Sequence, residues 1–342
     1  KAERLYKRAL EVMENVYGPE HPDVVMYIEH LEGVYCDQGK YAKAEPLCKR
    51  ALAIWERAYG PYSFAVDTNI DVLAEIYRKT SREKEARPLS KRATQIRVKR
   101  WQILNREALS LGEKKQYEDA LFTAQTALQL AEETVGPDHE DVVALLDTIA
   151  LLYCQQAHYE QAEEFYRRAL AIIEKARGPD HPDVARSLIN LATMYLAPKR
   201  FEQAEPLFKR ALQIREKFYG PNNSNVALLM SDLAAVYAAR GHYAQAGALY
   251  KRALTIMEKV FGPGDPRLVA NMELLAELYD CEGQYYEAEQ LYKKALPIME
   301  ERYGKDAPIL LTSLDGLAQV YRKQSEFKPA EVYERRAARI RA

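Results

Sequence analysis

Apolar residues recur three and four positions apart along the chain, as at Leu188, Leu191, Ala192 and Tyr195, which is the spacing of a helix with one buried face. The same phrase then returns. It is displayed best between His158 and Phe201, and a Gly-Pro step marks each copy at Gly18-Pro19, Gly60-Pro61, Gly136-Pro137, Gly178-Pro179, Gly220-Pro221 and Gly262-Pro263, followed by Gly304-Lys305. Every step is 42 residues except that from Gly60 to Gly136, which is 76, one unit of 42 and one of 34. A fixed period of this size predicts one elongated array of helix pairs rather than two or three globular domains.

The apolar period places the first helices of the pairs near 23–38, 65–80, 100–113, 141–156, 183–197, 225–240, 267–282 and 309–324. Second helices of about 16 to 18 residues start near Tyr41, Glu83, Tyr117, Tyr159, Phe201, Tyr243, Tyr285 and Phe327. Glycine followed by proline ends each second helix, because glycine accepts the left-handed closing conformation and proline cannot continue the hydrogen-bond ladder. Pro182 and Asp183 then suit the first turn of the next helix. Residues 1–342 divide accordingly into an orphan second helix of a truncated repeat (1–18) and eight helix-pair repeats. These are 19–60, 61–98, 99–136, 137–178, 179–220, 221–262, 263–304 and 305–342, with the third carrying the 34-residue period. Beginning in mid-unit, the array is expected to belong to a larger protein.

Small residues form the most regular columns. One reads Ala2, Ala44, Ala86, Ala120, Ala162, Ala204, Ala246, Ala288, Ala330, and a second, seven positions on, runs from Ala9 through Ala51, Ala93, Ala127, Ala169, Ala211, Ala253 and Ala295 to Ala337. Two alanine lines on one helix face predict close approach of the paired helix. A tyrosine line (Tyr35, Tyr77, Tyr153, Tyr195, Tyr237, Tyr279, Tyr321) fills the space beside it.

The pattern Leu191, Ala192, Tyr195, Phe201, Ala204, Phe208, Ala211 is similar to the tetratricopeptide consensus. The long period, GPDHPDVA at 178–185 and AEPLCKRALAI at 44–54 resemble the 42-residue subclass found in kinesin light chains and nephrocystin-type proteins. Two features differ from kinesin light chains. No heptad coiled coil is present, and of their Asn-Asn pair in the first helix only Asn190 is kept. The resemblance implies an all-α solenoid, a right-handed superhelix of antiparallel helix pairs whose first helices line the inside. Proteins of this kind act as protein-interaction scaffolds that bind a peptide or partner surface in the concave groove.

Charge changes this picture little: with 49 basic and 50 acidic residues the chain is neither a globally basic nucleic-acid binder nor an acidic tail. No apolar run reaches membrane-spanning length, so no membrane partner is expected. Cys36, Cys48, Cys154 and Cys281 lie in different repeats without metal-ligand spacing and read as free thiols of a reducing, cytoplasmic setting. His21, His139 and His181 repeat in one interhelix turn, which points to turn chemistry rather than acid–base work. Walker, HExxH and CxxC motifs are missing, so neither an enzyme nor a bound cofactor or metal is expected.

The inward positions implied by the resemblance give the candidate partner-binding groove. In repeats four to six they are Asp147, Leu151, Arg186, Ile189, Asn190, Thr193, Leu196, Leu228, Ser231 and Ala235, a largely apolar strip, with the acids Glu273 and Glu277 beyond it. An extended or helical peptide with apolar side chains, flanked by basic ones, fits this strip. A basic stretch with Arg78, Lys79, Arg92, Arg97, Lys99 and Arg100 is a candidate patch for nucleic acid, a partner disfavoured against a solvated helix face. The shortened third repeat, where Trp101 is expected to open a helix, is a candidate hinge at Arg97 to Trp101. Two further alternatives are the sensor or autoinhibitory arm of a signalling ATPase or transcription regulator, and a self-associating scaffold.

Overall fold

The computed structural model describes all residues 1–342, and its regular structure is entirely helical. In chain order the α-helices are α1 (Ala2–Tyr17), α2 (Pro22–Asp37), α3 (Tyr41–Tyr59), α4 (Phe64–Lys79), α5 (Glu83–Glu113), α6 (Tyr117–Val135), α7 (Val143–Gln155) and α8 (Tyr159–Arg177). They continue as α9 (Pro182–Leu196), α10 (Phe201–Tyr219), α11 (Ser224–Ala239), α12 (Tyr243–Phe261), α13 (Val269–Cys281), α14 (Tyr285–Tyr303), α15 (Leu311–Lys323) and α16 (Phe327–Arg341). A single 3-10 turn leads into α7, α13 and α15. The chain forms two compact units, Lys1–Leu152 and Tyr153–Ala342, whose boundary falls inside α7. In the first unit α1 to α6 pack each on the next; in the second, α8 to α16 do the same.

The repeated turn residues perform the roles that their chemistry allows. Gly178, at φ 85°, ends α8 and returns its N–H to the Glu174 carbonyl at 2.9 Å. Three residues on, His181 caps α9: its Nδ1 accepts the Asp183 N–H at 3.2 Å, and His21 and His139 make the same bond. Asn223 and Asp265 supply a side-chain oxygen in its place. The recurrent His-x-Asp is therefore a helix N-cap. Between the two helices of a pair the chain passes through one left-handed residue, and the N–H after it bonds back to the column tyrosine, as from Arg200 to the Tyr195 carbonyl at 2.9 Å. Gly39, Gly241 and Gly283 hold that conformation, but so do Ser81, Ala157, Lys199, Ser325 and Lys115, the last followed by a bond to the Leu111 carbonyl in place of a tyrosine's.

Packing follows the alanine columns. From Ala44 to Ala337 every member of both is 0–1 % exposed, whereas Ala2 and Ala9 on the first helix are not buried. A matching column on the first helices, Ala74, Ala108, Ala150, Ala192, Ala234, Ala276 and Ala318, is buried as well. Ion pairs tie successive second helices: Arg50–Glu14 (2.6 Å) and Arg92–Glu56 in the first unit, Arg210–Glu174 (2.5 Å), Arg252–Glu216 (2.9 Å), Lys294–Glu258 (2.5 Å) and Arg336–Glu300 in the second. Each is partly exposed and worth little alone; together they pair charges that the sequence disperses.

Two departures from the repeat stand out. The helix break expected before Trp101 does not occur: α5 runs for 31 residues without interruption, and Trp101 is buried in its middle instead of opening a helix. The eight residues lost from this unit include the Gly-Pro and the loop, and nothing between Pro88 and Gly112 is left to stop a helix. Two helices have merged into one of about 46 Å. At the candidate hinge the backbone is thus continuous α-helix.

The second departure is Glu32, which occupies the buried alanine position of α2. Its neighbour Cys48 stands where four other repeats carry Tyr166, Phe208, Tyr250 and Tyr292, and where the second and third carry the small Ser90 and Ala124. Burial pushes the Glu32 carboxyl from an ordinary 4.5 up to about 7, offset in part by the Cys48 thiol beside it and raised further by Glu29. The folded chain holds this proton between about pH 4.5 and 7, where the unfolded chain has released it. Stability should therefore fall as pH rises through that window and level off above it. Glu32→Gln is expected to remove this slope, gaining about 2 to 3 kcal/mol relative to the parent on passing from pH 5 to pH 8, read by urea unfolding at both values. Lys199→Gly should relieve the left-handed strain and raise stability by about 0.5 to 1 kcal/mol in the same assay.

Candidate functional site

With alanines and most column tyrosines engaged in packing, the candidate positions are the variable ones of the first helices. In the first unit Asp147 is half-buried and Leu151 is 40 % exposed, both on α7. In the second unit α9 presents Arg186 and Thr193 to solvent, with Ile189, Asn190 and Leu196 half-buried. Arg186 pairs only with Asp183 of its own helix, at 3.6 Å. On α11, Leu228 is 50 % exposed and Ala235 is exposed. Ser231 is different: it is buried, and its hydroxyl donates to the Ala227 carbonyl at 3.1 Å, as helical serines do when no other partner is near. It offers no free hydroxyl.

Further along the second unit the same surface becomes acidic. Glu273 on α13 accepts a hydrogen bond from Ser313 on α15, while Glu277 is exposed and makes neither an ion pair nor a hydrogen bond. Burial, opposed by Ser313 and reinforced by Glu277, raises the Glu273 carboxyl; burial and then Asp280 raise that of Glu277. Asp232 on α11 is raised by desolvation, with Arg215 opposing. The effect reaches the neighbouring phenols. Tyr250 is pushed up to about 12 by desolvation and by the charges of Glu277 and Asp232, and Tyr292 is raised by desolvation and by Glu277, Asp280 and Glu273. Asp232, Tyr250 and Tyr292 were not singled out from sequence. The available signal for Asp232 was its place in the column of Asn190.

The basic stretch has a different fate. Arg78 and Lys79 pair with Glu75 at 3.0 and 3.6 Å, and Arg92 pairs with Glu56. Arg97 donates to Asp67 at 3.0 Å and to Asp71, and Arg100 reaches Asp67 at 3.5 Å. Of the six candidates Lys99 alone has no acidic partner. Asp67 is 3 % exposed and lies on α4, so these arginines fasten the long helix α5 to α4 where the repeat is short.

No three histidine, cysteine, aspartate or glutamate side chains lie close enough to hold a metal ion, and no helix is long and apolar enough to cross a membrane. Comparison with known families agrees with this geometry. One tetratricopeptide repeat model matches residues 33–97, 102–175, 149–217, 199–259, 225–296 and 267–342, and a second matches 1–23. The chain belongs to the tetratricopeptide repeat family. Among solved tetratricopeptide structures it is similar to BtubC (BKLC) from P. vanneervenii, at 24 % identity and TM-score 0.57 over 70 % of this chain and 91 % of that one. It is also similar to a putative kinesin light chain from Podosopora anserina with nearly identical repeats (22 %, TM-score 0.55, 60 % and 98 % covered). A third likeness is to a signal-transduction ATPase of the STAND type with a tetratricopeptide repeat sensor from Pyrococcus horikoshii (14 %, TM-score 0.60, 98 % of this chain and 52 % of that one). These likenesses establish the fold. No curated protein sequence matches significantly.

The Arg97 contacts make a stability prediction at the merged repeat. Arg97→Ala should cost about 2 to 4 kcal/mol by leaving the buried Asp67 with only the longer Arg100 contact, whereas Lys99→Ala should change chemical unfolding by less than about 0.5 kcal/mol.

Proposed function

We propose that this chain is a protein-interaction scaffold that holds an extended or helical segment of a partner polypeptide along the accessible side of its first helices. The observation that carries this reading is on α9 and α11. Beside the charged Arg186 and Asp232, their accessible or half-buried positions Ile189, Thr193, Leu196, Leu228 and Ala235 are short or apolar, although every framework column next to them is buried. Exposed leucine in line with small neighbours suits an apolar side chain of a ligand. Nucleic acid finds no comparable surface, since the arginines of the basic stretch already have acidic partners.

A second reading, the sensor arm of a larger signalling ATPase, is supported by the fold likeness to the STAND protein, which extends over 98 % of this chain. A nucleotide-binding motif in the surrounding reading frame would favour it, and both readings use the same binding surface.

The test is selection of a random 12-residue phage-displayed peptide library on the purified chain. Enriched peptides, resynthesised, should bind Leu228→Glu about tenfold or more weakly than the parent, because a carboxylate would be buried against apolar side chains. Equal affinity for the two proteins, or no enrichment at all, contradicts the reading.

A further inference from the structure

Between α13, α14 and α15 the second unit carries a pocket of about 380 Å³, and its wall includes Glu277, Asp280, Asp315 and Gln319, with Tyr292 and Gly316 at its floor. No lysine or arginine lines it. Gly316 is required here for reasons of space, since a Cβ would overlap the end of the Tyr292 ring. That contact brings the phenol of α14 through to the accessible side of α15. Tyr292 is 3 % exposed, yet its hydroxyl makes no hydrogen bond. The ring is buried while its hydroxyl oxygen stays open and unpartnered at the acidic pocket, an observation separate from the charges themselves.

The carboxylates are only partly compensated. Asp280 is 7 % exposed; its Oδ2 accepts from Gln319 Nε2 and Lys323 Nζ, both at 2.7 Å, while its Oδ1 is buried with no donor. Asp315 pairs with Arg341, and Glu277 has no partner. Lys323 and Arg341 thus reach the rim acids without lining the pocket. What would complete the site is a cation with several N–H donors. The carboxylates are too dispersed for a metal ion. A guanidinium or ammonium on a flexible apolar stem can instead pair with Glu277 and donate to the Tyr292 hydroxyl.

We propose that this pocket receives an arginine or lysine side chain of the partner polypeptide, anchoring the charged end of a ligand whose apolar part lies on α9 and α11. The inference rests on the scaffold reading, and it gives that ligand a chemical class: a basic residue to one side of apolar ones. α13 touches both α11 and α15, so the pocket lies next along the row of first helices that reading uses.

The test takes the peptides enriched on the full chain and compares each with a copy in which the shared basic residue is made neutral, citrulline for arginine or acetyl-lysine for lysine. Both are titrated against the parent, Glu277→Gln and Thr312→Lys. The exposed Glu277 and Thr312 lie outside the core, and an unchanged melting temperature controls for folding. On the parent, neutralisation should weaken binding about tenfold; on Glu277→Gln the difference should shrink to about twofold, and Thr312→Lys, which places a cation at the pocket wall, should abolish it. Which neutral copy loses more tells arginine from lysine. Peptides that share no basic residue, or a neutralisation loss equal on all three proteins, overturn the pocket assignment while leaving the scaffold reading intact. Failure to enrich any peptide overturns both.

Discussion

The constraint on which the structure depends is the close approach of paired helices across alanine. A methyl group at each contact lets two helix backbones come near enough that every other choice in the repeat follows: an aromatic must fill the flank, a glycine must end the helix on time, and a capping residue must start the next. Both second-helix alanine columns are closed to solvent from Ala44 to Ala337. Where the rule is broken at Glu32, the side chain lies beside the small Cys48, and the cost appears as a carboxyl that holds its proton to about pH 7.

Freedom lies where the alanines do not. Around Arg186 and Asp232 the accessible columns of the first helices are mostly short and apolar on α9 and α11 and become acidic on α13 and α15, with no change in the frame that carries them. The two surfaces therefore differ in chemistry on an almost constant backbone. This separation of frame from surface is why a likeness of fold to BtubC or to a STAND ATPase leaves the ligand open, and why the ligand is argued from Leu228, Glu277 and Tyr292.

Much of the frame was legible in the sequence, because each helix start repeats a local signal: second helices begin at Tyr41, Tyr117, Tyr159 and Phe201 as their spacing predicts. The merged helix α5 was not. The shortened period was read as a shorter connection, whereas its physical effect was to delete both stop signals. The basic stretch misled for another reason. Arg92 and Arg97 find Glu56, Asp67 and Asp71 some 26 to 36 residues earlier in the chain, a distance that local charge counting cannot bridge. The pocket at Tyr292 needed three helices in place before its phenol, Gly316 and Asp280 could be seen together. Glu32 was not singled out either, although its signal, a carboxylate in the first-helix column of Ala74 and Ala192, lies in the sequence.

The central claim is that the second helices build the frame and the first helices of the second unit meet the partner. Amide hydrogen exchange of the chain, with and without a saturating library-selected peptide, tests it most directly. The account predicts added protection on α9, α11 and α13, with α10, α12 and α14 unchanged. Protection confined to the second helices would contradict it.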